Sequence, residues 1–307
     1  MNMTNYDCSI IILSYNTKDV TDKCLSCLKK AINYSNRTLN NKVETIVVEN
    51  GSVDGSLEMI KRKYGWVKLI NPKANMGFAM GNNLGMSKAK YDFLLLINSD
   101  TFLEKQTIVE SLRYFMKRTD CSLLGCRLKY GDGRFQPSGG YLPTPLNTIL
   151  WMFGIDRLPL IKNWLRPVHP KEPAFFSHDR FLEWVMGAFL FMRRDVFKKT
   201  GGFDNNFFMY MEEVEWCYRM KSMGIKICYA PDFYVTHLDK ASSNFDVRGP
   251  LTKEIQGLLY FHKLHYKSTY FLIKPVIYTG CLLRYMTHIL TGNDYLAQTY
   301  KEIIKLI

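Results

Sequence analysis

The sequence predicts an α/β fold: a mostly parallel sheet with helices on both faces, followed by a helical C-terminal extension. Three observations lead there. Near-continuous apolar runs alternate with segments whose apolar residues recur at helical spacing, and such runs mark strands buried on both faces. The alternation repeats four times before residue 120, which is the pattern of βαβ units. The runs end in polar clusters, and in sheets of this kind ligands bind beyond the carboxyl ends of the strands.

The elements follow in order. "CSIIILSYN" (8–16) reads as a buried strand opening into a loop, and "TKDVTDKCLSCLKKAI" as a helix capped by Thr17 or Asp19. "VETIVVEN" (43–50) is a second buried strand, and "GSVDGSLEMIKRKYG" a turn and helix stopping at Gly65. "VKLINP" is a weaker strand, "MGNNLGMSKAK" a helix, "YDFLLLINSD" (91–100) the most apolar strand, and "EKQTIVESLRYFMKR" the next helix. The polar ends Asn16, Glu49 to Asp54 and Asn98 to Asp100 should therefore share one rim. Residues 127–182 break the pattern with Pro137, Pro143, Pro145, Pro159, Pro167, Pro170 and Pro173, plus Trp151 and Trp164. An irregular segment of that length is expected to be a lid or binding loop. Regularity returns with "FLEWVMGAFLFMRRDVFKKTGGFD" and the helix "MEEVEWCYRMKSMG". "IKICYAP" and "DFYVTHL" read as two extended segments.

The chain has 307 residues, 47% hydrophobic and 22% charged, which fits a globular protein and excludes disorder. Its formal net charge of +13 points to an acidic partner: nucleic acid, an anionic membrane surface or a phosphorylated substrate. No zinc-finger, RNP or helix-turn-helix pattern supports nucleic acid. The start "MNMTNYD" is polar and "SIIIL" is short for a signal segment, so a cytoplasmic protein is expected. Eight scattered cysteines read as reduced thiols.

The chemistry concentrates on the expected rim. Neither a P-loop nor a G-x-G-x-x-G fingerprint is present. Asp100 ends a very apolar strand, where it serves either as a helix cap or as an oxygen ligand for Mg²⁺ or Mn²⁺. His237, at the end of "FYVT", is structural or a ligand. In "EEVEW" (212–216), Glu212 and Glu215 share a helical face while Glu213 points elsewhere. Glu215 can pair with Arg219, and neighbouring carboxylates raise one another's pKa, which suits a general base. "NMGFAMGNN" (75–83) is either an Asn-rich helix entry or a backbone that bends tightly to offer amides to a ligand.

The blocks "SYN", "VVENGSVDGS", "NMGFAMGNN", "LLLINSD", "GAFLFMRRDVFKKTGGFD", "FFMYMEEVEWCYRMKSMG" and "PDFYVTH", in that order over residues 8–240, resemble the family 2 glycosyltransferases. The similarity is greatest to the rhamnosyltransferase-like branch of bacterial cell-surface polysaccharide synthesis. The resemblance implies a GT-A fold, a nucleotide-sugar donor, a divalent metal (Mg²⁺ or Mn²⁺) and inversion at the anomeric carbon. It implies donor binding by Ser14, Asn16, Glu49, Asn50, Asp54, Asn75, Gly77, Phe78, Asn82, Asn98 and Gly187. "NSD" stands at the D-x-D position, with Asn98 replacing the first Asp and Asp100 left as metal ligand. His237, 24 residues after Glu213, takes the metal-binding His position. Glu213 stands at the catalytic base, usually Asp, and Trp184 and Glu212 fall on the acceptor side. The implied reaction moves a sugar, with dTDP-L-rhamnose as the suggested donor, to a glycan or polyprenyl-diphosphate-linked acceptor. A catalytically inactive nucleotide-sugar or glycan-binding protein of the same fold is the alternative. The carboxylate kept at 213 favours the enzyme.

The expected division is a catalytic domain over 1–240 and a basic, aromatic helical extension over 241–307. Residues 250–307 hold seven Lys or Arg against three acidic residues, and their longest uncharged apolar stretch, "PVIYTGCLL", is far below the ~20 residues that span a bilayer. The extension is expected to pack on the catalytic domain, to form a homodimer interface, or to lie on an anionic membrane surface.

Overall fold

The computed structural model describes residues 6–158, 165–239 and 246–307; Pro159, Trp164 and the boundary expected at residue 240 lie outside them. β1 (Cys8–Ser14) leads into α1 (Lys18–Leu39). This helix runs past its apolar pattern because Ser35 turns inward and its hydroxyl donates to Asn41. Asn40, at φ +50°, then ends it. β2 (Val43–Glu49), α2 (Ser56–Lys63), β3 (Lys68–Ile70), α3 (Gly77–Ser87) and β4 (Phe93–Asn98) complete the expected series. β1 lies parallel between β2 and β4, with Ser14 opposite Glu49 and Leu13 opposite Asn98. The polar strand ends therefore do share one rim.

Helix α3 begins at Gly77, so most of "NMGFAMGNN" is helical. A Cβ at Gly81 or Gly85 would come within 2.4 Å of Leu13 or 2.5 Å of Ile11. These two glycines seat the helix on β1.

β5 (Thr101–Leu103) follows one tight turn after β4, then α4 (Thr107–Lys117) and β6 (Leu123–Lys129). The irregular segment contains the short strands β7 (Phe135–Gln136) and β8 (Gly139–Gly140), α5 (Pro145–Met152) and β9 (Arg180–Leu182). β10 (Trp184–Val185), β11 (Phe189–Arg193), α6 (Arg194–Thr200), α7 (Glu212–Ser222) and β12 (Ile227–His237) follow. The main sheet runs β3-β2-β1-β4-β11-β6-β12-β5, with β7 on β6 and β9 on β12. β11 is antiparallel to both neighbours, so the parallel pattern holds within β1 to β4 and between β6 and β12. The two extended segments read near the end form one strand whose pairing shifts between Ala230 and Tyr234. Pro231 lies in that shift, where a residue without an N–H does least harm to the ladder.

The apolar strands feed two cores. Ile10, Ile12, Val47, Leu95 and Ile97 point to one face and Ile11, Ile46, Leu94 and Leu96 to the other, as the two-residue period of a strand requires. The C-terminal extension is helical: α8 (Arg248–His265), α9 (Tyr270–Leu290) and α10 (Asp294–Leu306). Arg284 ties α9 to the end of α5 by donating to the carbonyls of Trp151 and Met152. Among the described residues no helix is long and apolar enough to cross a membrane.

Candidate active site

The β12–β5 pairing builds the first part of the site. His237 lies opposite Thr101, and the Leu238 amide donates to the Asp100 carbonyl. This register sets His237 Nε2 3.4 Å from Asp100 Oδ1, with both side chains nearly buried. Asp100 precedes β5, and the next helix is capped at Gln106, so the helix-cap reading of Asp100 fails. His237 Nδ1 lies 3.3 Å from Gln136 Oε1, and Asn98 Nδ2 lies 3.4 Å from His237 Nε2. Both neighbours favour the tautomer protonated at Nδ1, which leaves the Nε2 lone pair beside the Asp100 carboxylate. The Asp100 carboxylate is an oxygen donor of the kind Mg²⁺ and Mn²⁺ prefer, and the His237 nitrogen suits Mn²⁺ better than the harder Mg²⁺. No cluster of three or more His, Cys, Asp or Glu suited to a metal exists among the described residues. The pair fits an ion that fills its remaining positions with ligand oxygens or water.

The second part is the start of α7. Tyr210 and Met211 both have φ +72°, a conformation that costs energy for side-chain-bearing residues and tends to persist at functional sites. This turn presents Glu212 and Glu213 end-on to the cavity, so both line it, and it is Glu215 that points away. The face argument from helical spacing failed because an end-on first turn exposes successive residues together. Glu212 and Glu213 each keep a buried Oε2 with no hydrogen-bond partner. Burial and then the charge of Glu213 push the Glu212 carboxyl well above the usual range. Burial also raises Glu213, against hydrogen bonds from its own turn and from Gly187. Glu215 is structural: it accepts from Arg219 at 2.8 Å and pairs with His265 Nε2 at 3.1 Å.

These parts face one cavity of about 420 Å³. Of the residues expected at the site, Asn50, Asn75, Gly77, Phe78, Asn98, Asp100, Gly187, Glu212, Glu213 and His237 line it. Gly77 has φ +80°, and a Cβ there would strike the Phe208 carbonyl at 2.6 Å, so this position requires glycine. Asn75 Oδ1 accepts from the Gly77 amide, and Asn50 braces the same turn through Asn75 and Met76.

Other expected residues do not line the cavity. Ser14 is buried and shares a hydrogen bond with Thr21. Asn16, Glu49 and Asp54 tie loops together, accepting from the amides of Val53, Ser52 and Lys18 respectively. Burial raises the Asp54 carboxyl, but hydrogen bonds from Ser56 and Lys18 outweigh it and hold the group below its ordinary value. Asn82 is buried, its amide donating to the Phe78 carbonyl of its own helix. Trp184, expected on the acceptor side, is buried, with its indole N–H donating to the carbonyls of Tyr141 and Val168. Sequence reasoning missed Tyr15, Phe208, Tyr210 and Lys253, which line the cavity, and Gln136 behind His237. Tyr15 and Tyr210 stood inside quoted blocks. Gln136 and Lys253 carried no local signal, because tertiary packing alone brings them to the site.

A GT-A-like α/β sheet with carboxylates and an Asp–His pair at one rim defines a class of sugar-transferring enzymes. Residues 9–218 match the pattern of Glycosyl transferase family 2, and the chain belongs to that family of glycosyltransferases. It is 25% identical over 237 residues to rhamnosyltransferase WbbL of Escherichia coli, covering 74% of this chain and 82% of the relative. It is likewise 25% identical over 247 residues to the N-acetylglucosaminyl-diphospho-decaprenol L-rhamnosyltransferase of Mycobacterium tuberculosis, covering 74% and 73%. Among solved structures it resembles a mannosyltransferase from Pyrobaculum calidifontis in complex with GDP-Man and Mn²⁺, with TM-score 0.58 and 14% identity over 97% of this chain and 86% of that one. It also resembles residues 1–349 of S. aureus TarS, with TM-score 0.51 and 14% identity over 97% and 90%.

Proposed function

We propose that the protein is an inverting glycosyltransferase that uses a nucleotide-sugar donor and Glu213 as its base. The observation that carries this reading is a buried carboxylate oxygen of Glu213, without a partner, facing the same cavity as the Asp100–His237 pair. The acceptor hydroxyl gives its proton to Glu213 while its oxygen attacks C1 of the donor sugar. The C1–O bond to the diphosphate breaks and its electron pair leaves with the diphosphate. A single displacement from the opposite face inverts the centre. Asn75, Gly77 and Phe78 hold the donor against the rim. A divalent ion held by Asp100 and His237 would supply positive charge beside the departing diphosphate.

L-rhamnose from dTDP-L-rhamnose is the donor this reading favours, supported by the similarity to two rhamnosyltransferases. The acceptor is a lipid-linked glycan, supported by the diphospho-decaprenol named for the mycobacterial relative. The chain then works at the cytoplasmic face of the cell membrane, with its basic helical extension on the anionic surface. A thermal-shift panel of dTDP-, UDP- and GDP-sugars with Mg²⁺ or Mn²⁺, followed by nucleotide-release assays, tests the proposal. A metal-dependent shift and nucleotide release with a dTDP-sugar are expected. A panel without any shift or release overturns it.

A further inference from the structure

We propose that Lys253, on the C-terminal helix α8, is the acceptor-side anion contact of the active site and binds a phosphate group carried by the acceptor. The inference rests on the glycosyl-transfer reading above. Among the described residues lining the cavity, Lys253 is the sole Lys or Arg. It comes from outside the family-matched region, which ends at residue 218. No carboxylate lies within ion-pair distance of its ammonium among the described residues. The group instead stands 5.0 Å over the Phe208 ring, a contact that positions a cation without neutralising it.

Its placement is fixed by the helix that carries it. Lys253, Gly257, Phe261 and His265 recur at four-residue steps and so form one ridge of α8. Gly257 lets that ridge close on the strained turn before α7, since a Cβ there would meet Met211 Cβ at 2.9 Å. Phe261 packs on Tyr218, and His265 pairs with Glu215. Three rungs thus clamp α8 to α7, and the fourth, Lys253, reaches the cavity beside Glu212. The Asp100–His237 pair belongs to the sheet rim, so the cavity has separate elements for two anionic groups. Phosphate accepts charge-assisted hydrogen bonds from a preorganised ammonium. The same chemistry is offered by an isoprenyl diphosphate or by a phosphate on a polyol.

The test uses the full-length protein saturated with the nucleotide diphosphate and metal selected by the donor panel. Farnesyl diphosphate, glycerol 3-phosphate and farnesol are titrated by calorimetry into wild type, Lys253→Gln and Lys253→Arg. Wild type should bind at least one phosphate probe and not farnesol. Lys253→Gln should weaken that binding about tenfold or more, with Lys253→Arg restoring most of it. Nucleotide affinity should not change. Preference for farnesyl diphosphate assigns a lipid-linked source, and preference for glycerol 3-phosphate a phosphorylated polyol. Equal probe binding by Lys253→Gln, or an equal loss of nucleotide affinity, overturns the assignment. Donor turnover without a Lys253 effect sinks this inference alone. Lys253-dependent phosphate binding in a protein that binds nucleotide but turns over no donor sinks the transfer reading, and with it the acceptor role, and leaves the anion contact alone.

Discussion

Glu212 and Glu213 are chemically alike and neighbours in sequence, yet the turn that begins α7 gives each a buried, unpartnered oxygen in one cavity. Burial raises Glu213, and a base acts only when ionised. The rate should therefore fall as pH drops through a value above the ordinary carboxylate range near ~4.3. A pH–rate profile with its acid limb at an ordinary carboxylate value would contradict this. Glu212 is raised further, by burial and by Glu213. The folded state then holds its proton more tightly than the unfolded state, so the group lowers stability as pH rises above the unfolded pKa. Glu212→Gln cannot ionise. Its melting temperature should exceed that of wild type by more at pH 8 than at pH 5, and a constant difference would refute the burial argument.

Single elements aim these residues, and they differ in how well sequence announced them. The β1 to β4 series was legible because its strands are buried on both faces and read as continuous apolar runs. The Asp100–His237 contact was not visible as geometry, since it depends on β12 pairing antiparallel with a three-residue β5 across more than a hundred residues. Gln136, from the irregular segment, orients His237 in that contact. Gln136→Ala should weaken metal-dependent donor binding about tenfold, the usual effect of losing such a partner. Asp100→Ala and His237→Ala should weaken it more, and full activity in excess chelator would remove the metal from the reaction. Arg219 holds α7 through Glu215 and the carbonyls of Thr200 and Gly202. Arg219→Met leaves a buried carboxylate without its main partner and should cost about 3 kcal/mol in a denaturant melt. A cost below 1 kcal/mol would make the pair incidental.

At the scale of the whole molecule, the C-terminal helices are joined to the catalytic sheet, with α8 lining the cavity and α9 fastened to α5. Helical spacing foretold helices there, and packing on the catalytic domain stood among the expectations, but not the residues that make the attachment, because the packing partners lie far off in sequence. α9 presents Phe271, Leu272, Leu283, Met286, Ile289 and Leu290 to solvent, the last 85% exposed. An exposed apolar stripe on a chain of net charge +13 suits an anionic bilayer surface. The protein should float with anionic liposomes at low salt and release as salt rises. Indifference to such liposomes would leave the stripe to a second copy of the chain. The central claim, a sugar-transfer site with Glu213 as base, is tested most directly by single-turnover transfer in Glu213→Gln with donor affinity measured alongside. Donor binding should be kept and transfer should fall by about 10² to 10⁴-fold. Near-wild-type transfer by Glu213→Gln, with the loss appearing in Glu212→Gln instead, would contradict the assignment.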